Sequence, residues 1–383
     1  MQRVYLIVLA VAVGIGASAC SSTDVATTLS ENTTSTSTTT TLAETLVEPG
    51  PTTTTTIWET TAPICTGPGS WGVCEINGYD DRPYDVYLPS SYEPGTPIPA
   101  VVALHGGGGK AESAITTTCP DGDRNSASCL HNIAEQEGFV VIYPNGSGFG
   151  VLPTLKTWNA GGGGDTYNCV SGQACERGVD DIAYFGALLD DLSAWLNIDS
   201  GRVYATGLSN GAAMSHRLAC EMSDRFTAIA AVGGANQFSA TAPCDLMFGV
   251  AIMQIHGTED PCWTYEASTD ACADPSGGIK IGVEESTTAW VERLSCEAGP
   301  ITTDLPDIVD DQTSTTRTVW SGCTDGTTEV HLMKIEGGGH SWPGGDPYLP
   351  ERIVGRVTAD WDSTLIWDFF SQFDRSPAGS TDS

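Results

Sequence analysis

Short apolar runs recur along the chain at 84–88, 100–104, 139–143, 203–207, 228–232, 250–256 and 330–335. Runs of this length fit strands buried on both faces of a parallel sheet. Helical spacing appears between and after them: Ile182, Phe185, Leu188, Leu189, Leu192 and Trp195 share one helix face, as do Leu365, Ile366, Phe369, Phe370 and Phe373. The alternation predicts an α/β fold, a mainly parallel right-handed βαβ sheet with helices on both faces, over residues 64–375.

The N-terminal part follows a different pattern. Arg3 precedes an apolar run from Val4 to Ile15 and the small-residue stretch Gly16-Ala17-Ser18-Ala19-Cys20, which predicts a signal peptide over 1–19. The run is short for a membrane span. Ala17-Ser18-Ala19 fits ordinary cleavage. The small residues before Cys20 also resemble a bacterial lipobox, with Cys20 as the lipidated residue, and this is the preferred of the two readings even though Ala17 stands where that motif more often has Leu. Residues 20–63 are dominated by Thr and Ser, carry no Lys or Arg, and read as a disordered tether; 376–383 reads as a disordered tail. The chain is therefore expected outside a bacterial cell, free or as a surface lipoprotein.

Charge and cysteine content narrow the classes. Across 383 residues, 48 acidic side chains face 16 basic ones, for a net charge of -32. Such a field repels phosphate backbones and anionic headgroups, which excludes nucleic acid as a partner and leaves an N-terminal lipid as the only expected membrane contact. Thirteen cysteines without metal-type spacing fit an oxidising compartment, and twelve remain for bridges once Cys20 is set aside.

The strongest chemical signal is Gly207-Leu208-Ser209-Asn210-Gly211, with a strand before it and a helical segment after it. That is the context of a nucleophile elbow, in which a sharp strand-to-helix turn exposes the Ser hydroxyl. Ser209 needs a base. Of six histidines, His105 sits in His105-Gly106-Gly107-Gly108-Gly109 after a strand and reads as part of an oxyanion loop. His131, His216, His256 and His331 lie in a loop, a helix, at a strand end and within a strand, where packed or surface roles are expected. His340 lies in the glycine-rich loop Glu336-Gly337-Gly338-Gly339-His340-Ser341-Trp342-Pro343-Gly344-Gly345 and is the candidate base. His256-Gly257-Thr258-Glu259-Asp260-Pro261 supplies the carboxylate, Asp260, with Glu259 in reserve. The order Ser209, Asp260, His340 is that of α/β-hydrolases. The backbone N–H groups of Gly107 and Asn210 are the candidate oxyanion donors. Lys110 is followed by Ala111, not Ser or Thr, so the glycine run is not a P-loop. No metal motif occurs, and no cofactor is expected.

These residues resemble the secreted polyhydroxybutyrate depolymerase and feruloyl esterase family, which includes LpqC-like lipoproteins and overlaps carbohydrate esterase family 1. The resemblance runs from about Tyr79 to Phe373. It is carried by Arg82-Pro83-Tyr84-Asp85-Val86-Tyr87-Leu88-Pro89, Leu104-His105-Gly106-Gly107, Trp158-Asn159-Ala160-Gly161, Val179-Asp180-Asp181, the elbow, and the Asp260 and His340 segments. It implies an α/β-hydrolase serine esterase acting on polyesters, on feruloyl or acetyl groups of polysaccharides, or on small esters. The chain departs from the family at Pro261-Cys262-Trp263-Thr264-Tyr265, which implies a different acyl or leaving-group pocket. Trp158, Trp263, Tyr265 and Trp342 are candidate substrate contacts, with ordinary packing as the alternative. Asp180 and Asp181 read as helix-capping or loop-bracing carboxylates. Sequential proximity pairs Cys65 with Cys74, Cys119 with Cys129, Cys169 with Cys175, Cys220 with Cys244, Cys262 with Cys272, and Cys296 with Cys323; the resemblance supports the last pair most. Two other functions remain open at this point: a non-catalytic polysaccharide-binding module derived from an esterase, and a prolyl-type peptidase, which would usually need a gating domain.

Overall fold

The computed structural model describes residues 65–149, 152–164, 166–267 and 279–375. The predicted signal peptide, Cys20, the predicted tether, Cys272 and the predicted tail all lie outside the described residues.

Twelve strands and eight helices are described: β1 (Ser70–Cys74), β2 (Tyr84–Leu88), β3 (Ile98–Leu104), α1 (Ala111–Thr117), α2 (Leu130–Glu137), β4 (Val140–Pro144), β5 (Ser147–Phe149), β6 (Leu152–Thr157), α3 (Gln173–Glu176), α4 (Asp181–Trp195), β7 (Ile198–Leu208), α5 (Asn210–Glu221), β8 (Ala228–Val232), β9 (Ala251–Gly257), α6 (Val283–Arg293), β10 (Ala298–Asp304), β11 (Ser314–Ser321), β12 (Val330–Glu336), α7 (Glu351–Val354) and α8 (Ser363–Phe370). All but β5 and β6, which pair with each other, form one sheet in the order β1-β2-β4-β3-β7-β8-β9-β12-β11-β10. The central strands β4, β3, β7, β8, β9 and β12 are parallel. Both margins are antiparallel.

Side-chain alternation explains the two-faced core. Val102, Leu104, Val203 and Ala205 point toward α4, α5 and α6, where they meet Phe185, Leu188, Met214, Leu218 and Trp290. Val101, Ala103, Val141 and Tyr204 point the other way, toward Ile115, Ile133, Ile366, Phe369 and Phe370 of α1, α2 and α8. A strand covered on both sides needs apolar residues at every position, which is why the central strands lack polar alternation. The antiparallel strands β1, β10 and β11 were not among the predicted ones. β10 is exposed along its whole length and β1 alternates, so neither carries a continuous apolar run.

Polar ties fix the loops on this frame. Asp180 caps α4 by accepting from the Ala183 amide at 2.9 Å. Buried Asp181 pairs with Arg82 at 2.6 Å and accepts from the Asn159 amide at 2.6 Å. Removing one partner of a buried pair such as this costs about 3–5 kcal/mol. Five of the expected disulfides are present: Cys65–Cys74, Cys119–Cys129, Cys169–Cys175, Cys220–Cys244 and Cys296–Cys323. Each contributes on the order of 2–4 kcal/mol by restricting the unfolded chain, and such bridges belong to an oxidising compartment. The sixth expected pair has one end, Cys272, outside the described residues.

Because the central strands are parallel, their C-terminal ends lie along one edge of the sheet. β3 delivers the glycine loop there, β7 the Ser209 turn, β9 the Asp260 turn and β12 the His340 loop. Loops at this edge are where ligand sites of α/β sheets form.

Candidate active site

The turn at Ser209 follows from steric crowding. A side chain on Gly207 would place its Cβ 2.8 Å from the Leu104 carbonyl oxygen, and one on Gly211 would lie 2.6 Å from the same oxygen. Only glycine lets β7 and α5 approach β3 so closely. Between them Ser209 adopts φ 60° and ψ -117°, a strained conformation for a residue with a side chain. It turns the chain sharply from β7 into α5, whose first amides, as at any helix start, have no intrahelical partners.

The glycine loop lies against this turn. A Cβ on Gly106 would sit 3.6 Å from Ser209 Cβ, and one on Gly107 the same distance from Asn210 Cβ. Among the described residues, neither the Gly107 nor the Asn210 amide has a backbone acceptor. The neighbours of Gly107 are tied down: Gly108 N–H donates to the Lys156 carbonyl at 2.7 Å, and Gly109 N–H to that of Gly106 at 3.0 Å. The Asn210 side chain is fully engaged. Its oxygen accepts from the Trp158 amide (2.8 Å) and the Thr157 hydroxyl (3.1 Å), and its nitrogen donates to the carbonyls of Trp158 and Val170. This pins the segment after β6 onto the turn.

His105 is a structural part of that loop. Its Nε2 accepts from the Gly146 amide at 3.0 Å, so Nδ1 carries the proton and donates to the Gly106 carbonyl at 2.7 Å. Burial pushes its pKa down to about 4, which keeps the ring neutral at physiological pH.

Asp260 and His340 are in direct contact. His340 Nδ1 donates to Asp260 Oδ2 at 2.6 Å, with both side chains buried. The other carboxylate oxygen accepts from the amides of Cys262 (2.7 Å) and Trp263 (2.8 Å). Burial pushes the Asp260 carboxyl up, but the adjoining imidazoles of His340 and His256 outweigh it and hold it well below the usual carboxylate range. Glu259, the reserve carboxylate, turns outward to Arg356 at 2.7 Å. Room for the imidazole comes from Gly233, whose φ is 61° and whose added Cβ would lie 3.1 Å from His340 Nδ1. Ser209 adjoins the same β8 turn, its amide donating to the Val232 carbonyl at 2.8 Å. The Ser209 hydroxyl makes no side-chain cap on α5 and no hydrogen bond among the described residues.

One contact of Asp260 was not expected from the sequence. His256 Nε2 donates to the Trp263 carbonyl at 2.7 Å and lies 3.2 Å from Asp260 Oδ2. Behind it, Gln254 bonds His216 at 2.9 Å, and Trp290 Nε1 donates to His216 Nδ1 at 3.0 Å. A buried polar chain thus runs from α6 to the Asp260 carboxylate. The only hint in the sequence is the placement of His256 four residues before Asp260.

A cavity of about 300 Å³ opens over Ser209. Its walls include Gly106 to Gly109, Ser113, Thr117 and Thr118, with Trp342 and Tyr348 opposite. Trp342 is therefore at the cavity, held by its indole N–H on Ser363 Oγ at 2.9 Å. The other three candidate aromatics are not. Trp158 is wholly buried, donates to the His105 carbonyl at 2.9 Å and packs on Phe185, so it supports the glycine loop from behind. Trp263 is buried with its N–H on the Ile281 carbonyl, and Tyr265 packs near His256 with its hydroxyl toward Glu284. Adjacency in sequence to Asp260 misplaced both, because the turn aims them into the core. Tyr348, absent from the candidates, has its ring 6.4 Å from that of His340 and is 42% exposed at the cavity mouth.

Known proteins agree with this architecture. Feruloyl esterase C of Emericella nidulans is 24% identical over 299 residues, covering 78% of this chain and 86% of that protein. The bifunctional acetylxylan esterase/xylanase XynS20E of Neocallimastix patriciarum is 26% identical over 296 residues; the match takes in 76% of this chain but 33% of that protein, so the chain corresponds to one part of a longer relative. Among solved structures, an acetyl xylan esterase from Aspergillus awamori superimposes with a TM-score of 0.52 at 16% identity, over 79% of this chain and all of that one, which shows the shared α/β-hydrolase fold. The profile of the Esterase family matches residues 79–296, more than half of the chain, and includes both the Ser209 turn and the Asp260 turn. The chain belongs to the Esterase family and is a carboxylic ester hydrolase of the α/β-hydrolase fold.

Proposed function

We propose that the protein is an exported serine esterase that removes acetyl or feruloyl groups from polysaccharides through an acyl-enzyme. Ser209 Oγ attacks the ester carbonyl and its proton passes to His340 Nε2. Asp260 holds the imidazole with Nδ1–H inward and stabilises the imidazolium. The tetrahedral oxyanion is met by the amides of Gly107 and Asn210. Collapse returns the proton from His340 to the departing sugar hydroxyl, and water then repeats the sequence on the acyl-Ser209 ester. One observation carries this reading: the serine on the strained turn opens into the same cavity as the glycine loop, and the β8 turn that accepts from its amide also abuts the carboxylate-bonded imidazole of His340. The names of the relatives support the acyl groups. Export with a lipid on Cys20 is part of the proposal and rests on the N-terminal sequence and the disulfides.

A substrate panel tests the specificity at one salt concentration. The 300 Å³ cavity, flanked by Trp342 and Tyr348, is expected to turn over methyl ferulate and acetylated xylan, with polyhydroxybutyrate much slower. The net charge of -32 predicts slower turnover of an anionic analogue than of its neutral counterpart, a difference that shrinks as salt rises. Polyhydroxybutyrate as the best substrate would contradict the assignment.

A further inference from the structure

The edge of the sheet carries a second cleft. On β2, Tyr84, Val86 and Leu88 turn into the core, whereas Asp85 and Tyr87 face the opposite side with their β1 partners Val73 and Trp71. Near the sheet's centre α1 and α2 would cover that face, but at its edge they leave a cleft of about 520 Å³. Trp71, Asp85, Tyr87, Arg124, His131 and Asn132 are among the residues lining it. The indole of Trp71 is 40% exposed although it is propped by three rings, at 5.2 Å from Tyr87, 5.0 Å from His131 and 6.0 Å from Tyr143. A large aromatic side chain held rigid and left open is unusual unless it contacts something.

Several polar atoms around it have no hydrogen-bond partner among the described residues. Asp85 is half-buried and accepts no hydrogen bond among the described residues, and burial pushes its carboxyl up. His131 is 4% exposed; its Nε2 donates to the Arg124 carbonyl at 2.9 Å and its Nδ1 is a buried acceptor with no partner. Asn132 spends its amide N–H groups on the carbonyls of Arg124 and Ser126, which leaves its oxygen open. An apolar partner would strand the half-buried Asp85 carboxyl and the Asn132 oxygen at a cost of about 1–3 kcal/mol each. Arg124 disfavours a cationic ligand; Asp85 and the overall charge disfavour an anionic one. A neutral ligand with an apolar face and a rim of hydroxyls satisfies all of them.

We infer that the cleft formed by Trp71, Asp85, Tyr87, Arg124, His131 and Asn132 is a binding site for a neutral saccharide, separate from the catalytic cavity. The two openings share a wall, because Ser113, Ala114 and Thr117 of α1 line the catalytic cavity while Ile115 lines this cleft. A helix is about 10 Å across, so a polysaccharide held here presents its neighbouring units to Ser209. That last step rests on the acyl-enzyme reading above, whereas the binding does not.

The test separates the two. Binding of xylohexaose, cellohexaose and mannohexaose to the full mature chain carrying Ser209→Ala is measured by calorimetry and by retardation in gels containing soluble xylan. Saturable binding is expected with at least one of these glycans, weakened about tenfold or more by Trp71→Ala and by Asp85→Asn. In the Ser209 background, both substitutions leave p-nitrophenyl acetate turnover unchanged and raise KM on acetylated xylan. Near-UV circular dichroism checks the fold of Trp71→Ala, and Asp85→Asn preserves shape in any case. Absence of saturable binding to all three glycans, or binding that survives both substitutions, overturns the proposal whatever the outcome for catalysis.

Discussion

Replacement of Ser209 by Ala is expected to lower kcat on p-nitrophenyl acetate by about 10⁵–10⁶-fold, since the members of such a triad act as a unit. The fold should survive, because the hydroxyl makes no hydrogen bond among the described residues and caps nothing on α5. A companion variant exposes the strain behind the site. Ser209 holds φ at 60°, a backbone state that glycine adopts freely. Ser209→Gly should therefore be as inactive as Ser209→Ala but melt at a higher temperature than either serine or alanine at this position. A melting temperature below that of Ser209→Ala would show that the turn is not strained in solution.

Asp260→Asn is expected to lower kcat by about 10⁴-fold with a much smaller change in KM. The size follows from the hydrogen-bond directions. The carboxylate oxygen facing the Cys262 and Trp263 amides must remain an acceptor, so the new NH₂ group takes the place of Oδ2. There it meets two donors, His340 Nδ1–H at 2.6 Å and His256 Nε2–H at 3.2 Å. His340 escapes by moving its proton to Nε2, the nitrogen that takes the proton from Ser209 in the proposed mechanism. A loss below tenfold would mean that Asp260 does not set the tautomer.

Much of this arrangement was legible in the sequence because the physics that places it is local. Strands buried on both faces must be continuously apolar, so 100–104, 228–232 and 250–256 could be read directly. The Ser209 turn requires glycine on both sides, and so it leaves a motif. What could not be read depends on direction and edges. β10, with Pro300, Thr302 and Thr303 exposed, has no core pattern and pairs only because β11 is beside it. Trp158 lies in a segment that carries the family resemblance and Trp263 beside Asp260 in sequence, yet their indoles turn into the core, where each finds a carbonyl. Tyr348 reaches the cavity from the segment after the His340 loop, and His256 reaches Asp260 across a turn; neither contact has a sequence period. Trp71 sits on β1, which carries no continuous apolar run. Its exposure follows from α1 and α2 leaving the sheet edge uncovered, which spacing along the chain does not encode.

The central claim is that Ser209 is the nucleophile of an acyl-enzyme. It is tested most directly by reaction with a fluorophosphonate followed by intact-mass and peptide analysis. One adduct per chain is predicted, located on Ser209, with loss of esterase activity in proportion to labelling and no adduct on the His340→Ala protein over the same interval. A wild-type protein that stays unlabelled, as a pure polysaccharide-binding module would, or one that loses activity through an adduct at another residue, would contradict the account.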